Sequence, residues 1–284
     1  MIRLDAATVL LQWATGGLAF LWVTTRRREV GIGYGWLLRA VYGILAVGAA
    51  AVGGTLDSVP VRDVCAVGLA VATTAALVVS IVRRKAGVAG ERDRQARKAA
   101  RVAVMAGTDP DPAAAPVPTG PEFPPALDLV APLVGVVGLI AAGIAAGGPH
   151  PLAVARTLAG AFFLGAVSDA MLLGHWYLVQ PGLGRGPLLE LNRWLALTWP
   201  VEVGLLLWPT GMLSVLSGRV DDGWNGTLGW FWVACAVTTL ALTAVTRAAL
   251  QERAYSAVMA ATGLLYLAIL TAFGTDLVAR AVLT

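Results

Sequence analysis

The sequence predicts an all-α polytopic membrane protein of about eight transmembrane helices, three and five, divided by a cytoplasmic Pro/Ala-rich linker. Three observations carry this. Of 284 residues, 57% are hydrophobic and 13% charged, outside the balance of soluble domains. Eight apolar runs reach the ~20 residues that a helix needs to cross ~30 Å of hydrocarbon. The basic residues lie in short clusters beside those runs, which is how orientation is encoded in membrane chains. The net charge of +4 therefore argues for topology and against nucleic acid as a partner.

The first run, residues 6–24, is preceded by Arg3 and followed by Arg26-Arg27-Arg28. A cleaved signal peptide carries its positive region first, so this reads as an uncleaved span with its N-terminus outside. Runs at 33–55 and 59–82 complete a three-helix membrane segment, residues 1–82. Arg39, about one turn into the second run, is expected to snorkel to the cytoplasmic face.

Residues 83–126 form the linker. Its first part, E-R-D-R-Q-A-R-K-A-A-R, suits a surface helix. The prolines of D-P-D-P-A-A-A-P-V-P-T-G-P-E-F-P-P then forbid regular hydrogen bonding. The whole reads as a solvated tether, or as a docking segment for other membrane subunits.

A five-helix membrane segment, residues 127–284, follows with runs at 127–147, 152–179, 188–216, 227–246 and 254–279. Strict alternation puts 15 of the 21 Lys/Arg on the cytoplasmic side and leaves Arg3, Arg62, Arg156, Arg219 and Arg280 outside. Both termini are then outside. The Ala/Val/Gly/Arg-rich usage points to a bacterial cytoplasmic membrane with lipid around the bundle. Gly143 and Gly147 form a small-xxx-small pair for helix contact, and Trp176, Trp194, Trp224 and Trp230 fall near helix ends as interfacial anchors.

Chemistry concentrates between Ser168 and Glu202. Charges within hydrocarbon cost at least ~2.5 kcal/mol each and are buried, paired or functional. Asp169 and Glu202 lie on consecutive, antiparallel runs, with no lysine or arginine expected at their depth. They read as a proton or cation path, or as protonated carboxyls bonded to backbone, Ser168 or Thr198. Asp276 and Arg280, one turn apart, read as a helix-end ion pair, and Glu190 and Arg193 as an interfacial one.

His175 lies at the cytoplasmic end of the fifth run with Trp176, Tyr177 and, one turn earlier, Met171; Arg193 follows across the Gly/Pro hairpin. This set is the candidate haem or quinone contact. The other histidine, His150, is about 37 Å away along a helix, which excludes bis-histidine ligation within one chain. An interfacial histidine fixing a helix end is the simpler alternative.

There is no Walker loop, no H-E-x-x-H, no Cys/His metal cluster and no G-x-S-x-G. Cys65 and Cys235 stand in apolar runs and read as small hydrophobes. Two functions are expected. The first is a subunit of a bacterial energy-transducing assembly, not an enzyme on its own, handling protons through Asp169 and Glu202. The second is a proton-coupled transporter of a small substrate, against which stand the lack of an internal repeat and the few polar residues on the other helices.

Overall fold

A computed structural model describes residues 4–106, 120–180, 182–209 and 211–283, and every regular element among them is helical. In chain order these are α1 (Ala6–Thr25), α2 (Ile32–Thr55), α3 (Pro60–Val82), α4 (Ala89–Ala106), α5 (Val130–Ala145), α6 (His150–Val179), α7 (Gly186–Leu207), α8 (Met212–Leu216), α9 (Thr227–Gln251) and α10 (Tyr255–Val282). A 3-10 turn, Pro125–Leu129, leads into α5.

Among the described residues, seven helices are long and apolar enough to cross a membrane: α1, α2, α3, α5 with its leading turn, α6, α9 and α10. The run expected to form the sixth of eight spans departs from this pattern. It is divided, with α7 stopping at Leu207 and α8 starting at Met212. Trp208 adopts extended backbone (φ −123°, ψ 149°), as a residue preceding proline prefers. The 22 residues of α7 also hold Glu190, Arg193 and Glu202.

Helices α1 and α6 are the inner pillars. α1 packs on α2, α5 and α6, while α6 also meets α7 and α10; α3 leans on α2 and α5, and α9 on α7 and α10. The three-helix and five-helix segments thus interleave in one bundle. Small residues permit this, because lipid offers no hydrophobic drive and backbones must approach closely. A Cβ on Gly16 would lie 1.8 Å from the Ala161 carbonyl oxygen, and one on Gly165 would lie 2.2 Å from the Gly16 carbonyl carbon. The expected Gly143/Gly147 pair is half right. Gly143 sits against Val154 of α6, whereas Gly147 follows α5 with φ +80° and nothing near it.

At one end of the bundle, the Asp5 end, α1, α3, α6 and α9 begin and α2, α5, α7 and α10 finish. The opposite, Arg26 end carries the turns between α1 and α2, α6 and α7, and α9 and α10, together with α4. The basic start of the linker forms α4, as its composition suggests, and the Gly90 N–H donates to the Arg28 carbonyl at 2.9 Å. Most of the Pro-rich stretch lies outside the described residues. Its far end is anchored: Glu122 pairs with Arg28 at 2.7 Å and with Arg92 at 2.5 Å.

Arg39 does not snorkel. Its Nε and Nη2 donate to Asp128 Oδ1 and Oδ2, each at 2.8 Å, and its guanidinium lies 4.3 Å from the centroid of the Phe123 ring. Both charged side chains are nearly sealed from solvent, at 2% and 1% exposure. The end of the linker returns an aromatic ring, Phe123, and the turn leading into α5 an acid, Asp128, to Arg39, which removes any need to reach for water.

Candidate functional site

Asp169 lies in the middle of α6 and is wholly buried. The Tyr42 hydroxyl donates to its Oδ1, and Tyr34 donates to its backbone carbonyl at 3.4 Å. Gly17 makes the first contact possible, since a Cβ there would fall 2.0 Å from Tyr42 Cζ. Asp169 Oδ2 has no hydrogen-bond partner among the described residues. The neighbours expected from sequence are engaged elsewhere. Ser168 accepts from Trp13 Nε1 at 2.8 Å, and Thr198 donates to the Trp194 carbonyl at 3.0 Å.

Glu202 belongs to a second cluster nearer the Asp5 end. It is wholly buried, and neither carboxylate oxygen meets a donor among the described residues. It faces Asp276, Arg280 and Arg156, which corrects the expectation that no arginine reaches its depth. Those arginines approach on α10 and α6, too distant in sequence to be paired with it by spacing. Asp276 Oδ2 accepts from Arg280 Nε at 2.7 Å, so the expected one-turn pair forms, but in the interior with 0% and 1% exposure. Arg156 is also buried, and its Nε donates to the Leu205 carbonyl at 2.8 Å.

Gly160 of α6 opens the space for this cluster. A Cβ there would stand 2.5 Å from Asp276 Oδ1 and 2.7 Å from Gln12 Nε2. Gln12, also wholly buried, donates to the Thr157 carbonyl at 2.7 Å. Two carboxyls face each other between two guanidiniums that stay charged at any physiological pH. Both carboxylates are acceptors only; a single proton turns one of them into a donor to the other. Asp169 stands nine residues beyond Gly160 on α6, about 13 Å along the axis. The two predicted acids therefore occupy separate clusters.

Beside the Glu202 cluster lies a cavity of about 20 Å³, lined by Asp5, Thr8, Arg62, Thr157 and Arg280 among others. That is room for about one water. Arg62 is buried and pairs with Asp5 and with Asp63. Thr157 and Arg280 connect the cavity to the acids, since Thr157 accepts from Gln12 and Arg280 holds Asp276.

The five residues of the expected haem or quinone contact do not converge. His175 is exposed and faces outward, with Tyr266 Oη 3.2 Å from its Nδ1. Trp176 turns toward α2, its ring 6.0 Å from that of Tyr34. Tyr177 is buried and donates to the Gly184 carbonyl, which ties down the Gly/Pro hairpin. Met171 is half-buried one turn before His175 on the same helix face, where the pair cannot supply ligands to opposite sides of an iron. Arg193 is exposed on α7. This donor set does not fit a haem. Nor does Glu190 pair with Arg193: it binds Arg26 at 2.5 Å and Arg27 at 3.1 Å, because the basic cluster closing α1 lies beside the start of α7.

Sequence reading missed Tyr42, Gln12, Arg156 and Gly160. A signal for the cluster was present. Arg62, Arg156 and Arg280 all defied the charge sorting, and all three are buried at the Asp5 end. Compared with known proteins, the chain matches no family model, no curated protein and no solved structure.

Proposed function

We propose that the chain is an eight-span membrane protein that handles protons, with α7 as the eighth span, acting as a subunit of a bacterial energy-transducing assembly. The observation that supports it is the Glu202 carboxyl, buried without a donor among the described residues and facing the Asp276 carboxyl, Arg280 and Arg156. When a proton leaves the acid pair, the two fixed guanidiniums stabilise the negative charge left behind in the core. The small cavity beside Arg280 offers a water-sized step toward the Asp5 end. Asp169, with Tyr42 as its donor, is the second proton-holding site on α6. The excess of arginine at the Arg26 end supports a reading with that end in the cytoplasm and both termini outside.

The test is dye-reported proton flux in proteoliposomes under a membrane potential, with the wild type, Glu202→Gln and Asp276→Asn. Glu202→Gln should lose flux while retaining the wild-type melting profile in detergent, and Asp276→Asn, which breaks the buried pair with Arg280, should lose flux with a lowered melt; normal flux in Glu202→Gln removes this residue from the mechanism. Purification in mild detergent addresses the assembly. Respiratory subunits that co-purify support it, and a solitary chain that drives solute uptake from a pH gradient turns the reading to a transporter.

A further inference from the structure

Two neighbouring cavities at the Arg26 end play no part in the proton reading. The first, about 270 Å³, is a cleft between α5 and α7 floored by α1 and α6, and its walls include Phe20, Val23, Pro132, Val136 and Phe162. The second, about 480 Å³, lies at the mouth, where Arg27, Glu190 and Arg193 gather. Trp194 lines both, and its ring stacks edge-on to Phe20 at 5.9 Å. An apolar slot thus adjoins a charged vestibule across Trp194.

The charge of that vestibule is unbalanced. Glu190 is already held by Arg26 and Arg27, and Arg193 has no ion-pair partner among the described residues. The lining itself carries Arg27 and Arg193 against Glu190, a formal charge of +1, and Arg26 reaches Glu190 from outside it. The slot runs from Val23 back to Thr15 along α1, eight residues or about 12 Å. Half of a ~30 Å hydrocarbon layer is about 15 Å, so the slot spans nearly one leaflet.

We infer that this composite cleft is a binding site for an anionic phospholipid, its phosphate between Arg193 and Arg27 and one acyl chain lying in the slot against Phe20, Phe162 and Trp194. Basic pockets between transmembrane helices on the cytoplasmic side have this ligand chemistry. An uncharged partner helix would fill the slot and leave the vestibule cations unmatched, whereas a lipid satisfies both. Arg193, at the mouth of α7, is the group that selects for the phosphate.

The test uses the full chain, purified and delipidated in mild detergent, with binding followed by native mass spectrometry and by thermal melting. Phosphatidylglycerol should bind and raise the melting temperature; phosphatidylcholine with the same acyl chains should do neither, and inorganic phosphate at matched concentration should not shift the melt. Arg193→Gln should weaken phosphatidylglycerol about tenfold, the loss of one charge-assisted contact, without changing the lipid-free melt. Ala19→Phe, which fills the slot and spares the cations, should weaken it as well. Equal binding of the two lipids, full stabilisation by phosphate alone, or undiminished affinity in both variants overturns the proposal. So does a co-purified protein that phosphatidylglycerol fails to displace from the cleft.

Discussion

Removing either partner of the Arg39–Asp128 pair should cost more than any surface ion pair could. Two parallel bonds of 2.8 Å join them, Thr25 donates a third to Asp128 at 3.0 Å, and the Phe123 ring covers the guanidinium. With both side chains at 2% exposure or less, Arg39→Met leaves an unpaired buried carboxylate and Asp128→Leu an unpaired buried guanidinium. Each single loss is expected to cost about 3–5 kcal/mol. Replacing both removes the two desolvation penalties together, so the double variant should lie within about 1 kcal/mol of wild type. Unfolding of the four proteins in mild detergent closes the double-mutant cycle, with a coupling energy above about 2 kcal/mol. Since Asp128 fixes the returning linker, the single variants should also become more susceptible to protease near residues 120–128. Additive single effects below about 1 kcal/mol each would refute the reasoning, because they would mean that the pair is solvated.

Gly16→Ala should destabilise by about 1–3 kcal/mol or more through overpacking, since its Cβ would meet the Ala161 carbonyl at 1.8 Å. Gly263→Ala on α10, where a Cβ meets nothing within 4 Å, should be neutral or stabilising, and a shared effect in the two melts would sink the argument. Asp222, in the loop before α9, accepts N–H bonds from Trp224, Gly226, Leu228 and Gly229 at 2.8–3.3 Å. Partial burial pushes its carboxyl up, but the four donors outweigh this and hold it below the ordinary carboxylate range. A group depressed on folding contributes stability that is complete above its unfolded value, ~3.9, and is lost as pH falls through the folded one. The protection of amides 224–229 against hydrogen exchange, relative to their intrinsic rates, should therefore fall in acid, and Asp222→Asn should abolish that pH dependence.

The apolar runs made nearly every helix legible, because length and composition alone decide what can cross hydrocarbon. The single run 188–216 was misjudged where Pro209 interrupts it, for its leucines and tryptophans keep the window apolar on both sides. Side-chain partners were far less legible. Asp128 is 89 residues from Arg39, and no spacing rule links them. Glu202 and Asp169 stood out because each is an acid within an apolar run. That Glu202 turns toward α10 and Asp169 toward α2 depends on helix rotation, which the weakly amphipathic α6 and α7 do not encode. The close crossing at Gly16 and Gly165 was hidden for a similar reason. Glycine is so frequent in this chain, 33 of 284 residues, that the few at true contacts are not distinguished.

Four arginines are sealed among the described residues, Arg39, Arg62, Arg156 and Arg280, and they differ in when their partners are made. Arg62 emerges from the ribosome after Asp5, 57 residues upstream, and Arg280 brings Asp276 on its own helix, four residues earlier. Arg39 precedes Asp128 by 89 residues, and Arg156 precedes its acceptors, the Leu205 and Trp208 carbonyls, by 49 and 52. At ~5–20 residues per second, that leaves the Arg156 guanidinium uncovered for roughly 3–10 s of synthesis. The shorter, more charged α7 thus closes over the cation of the longer α6.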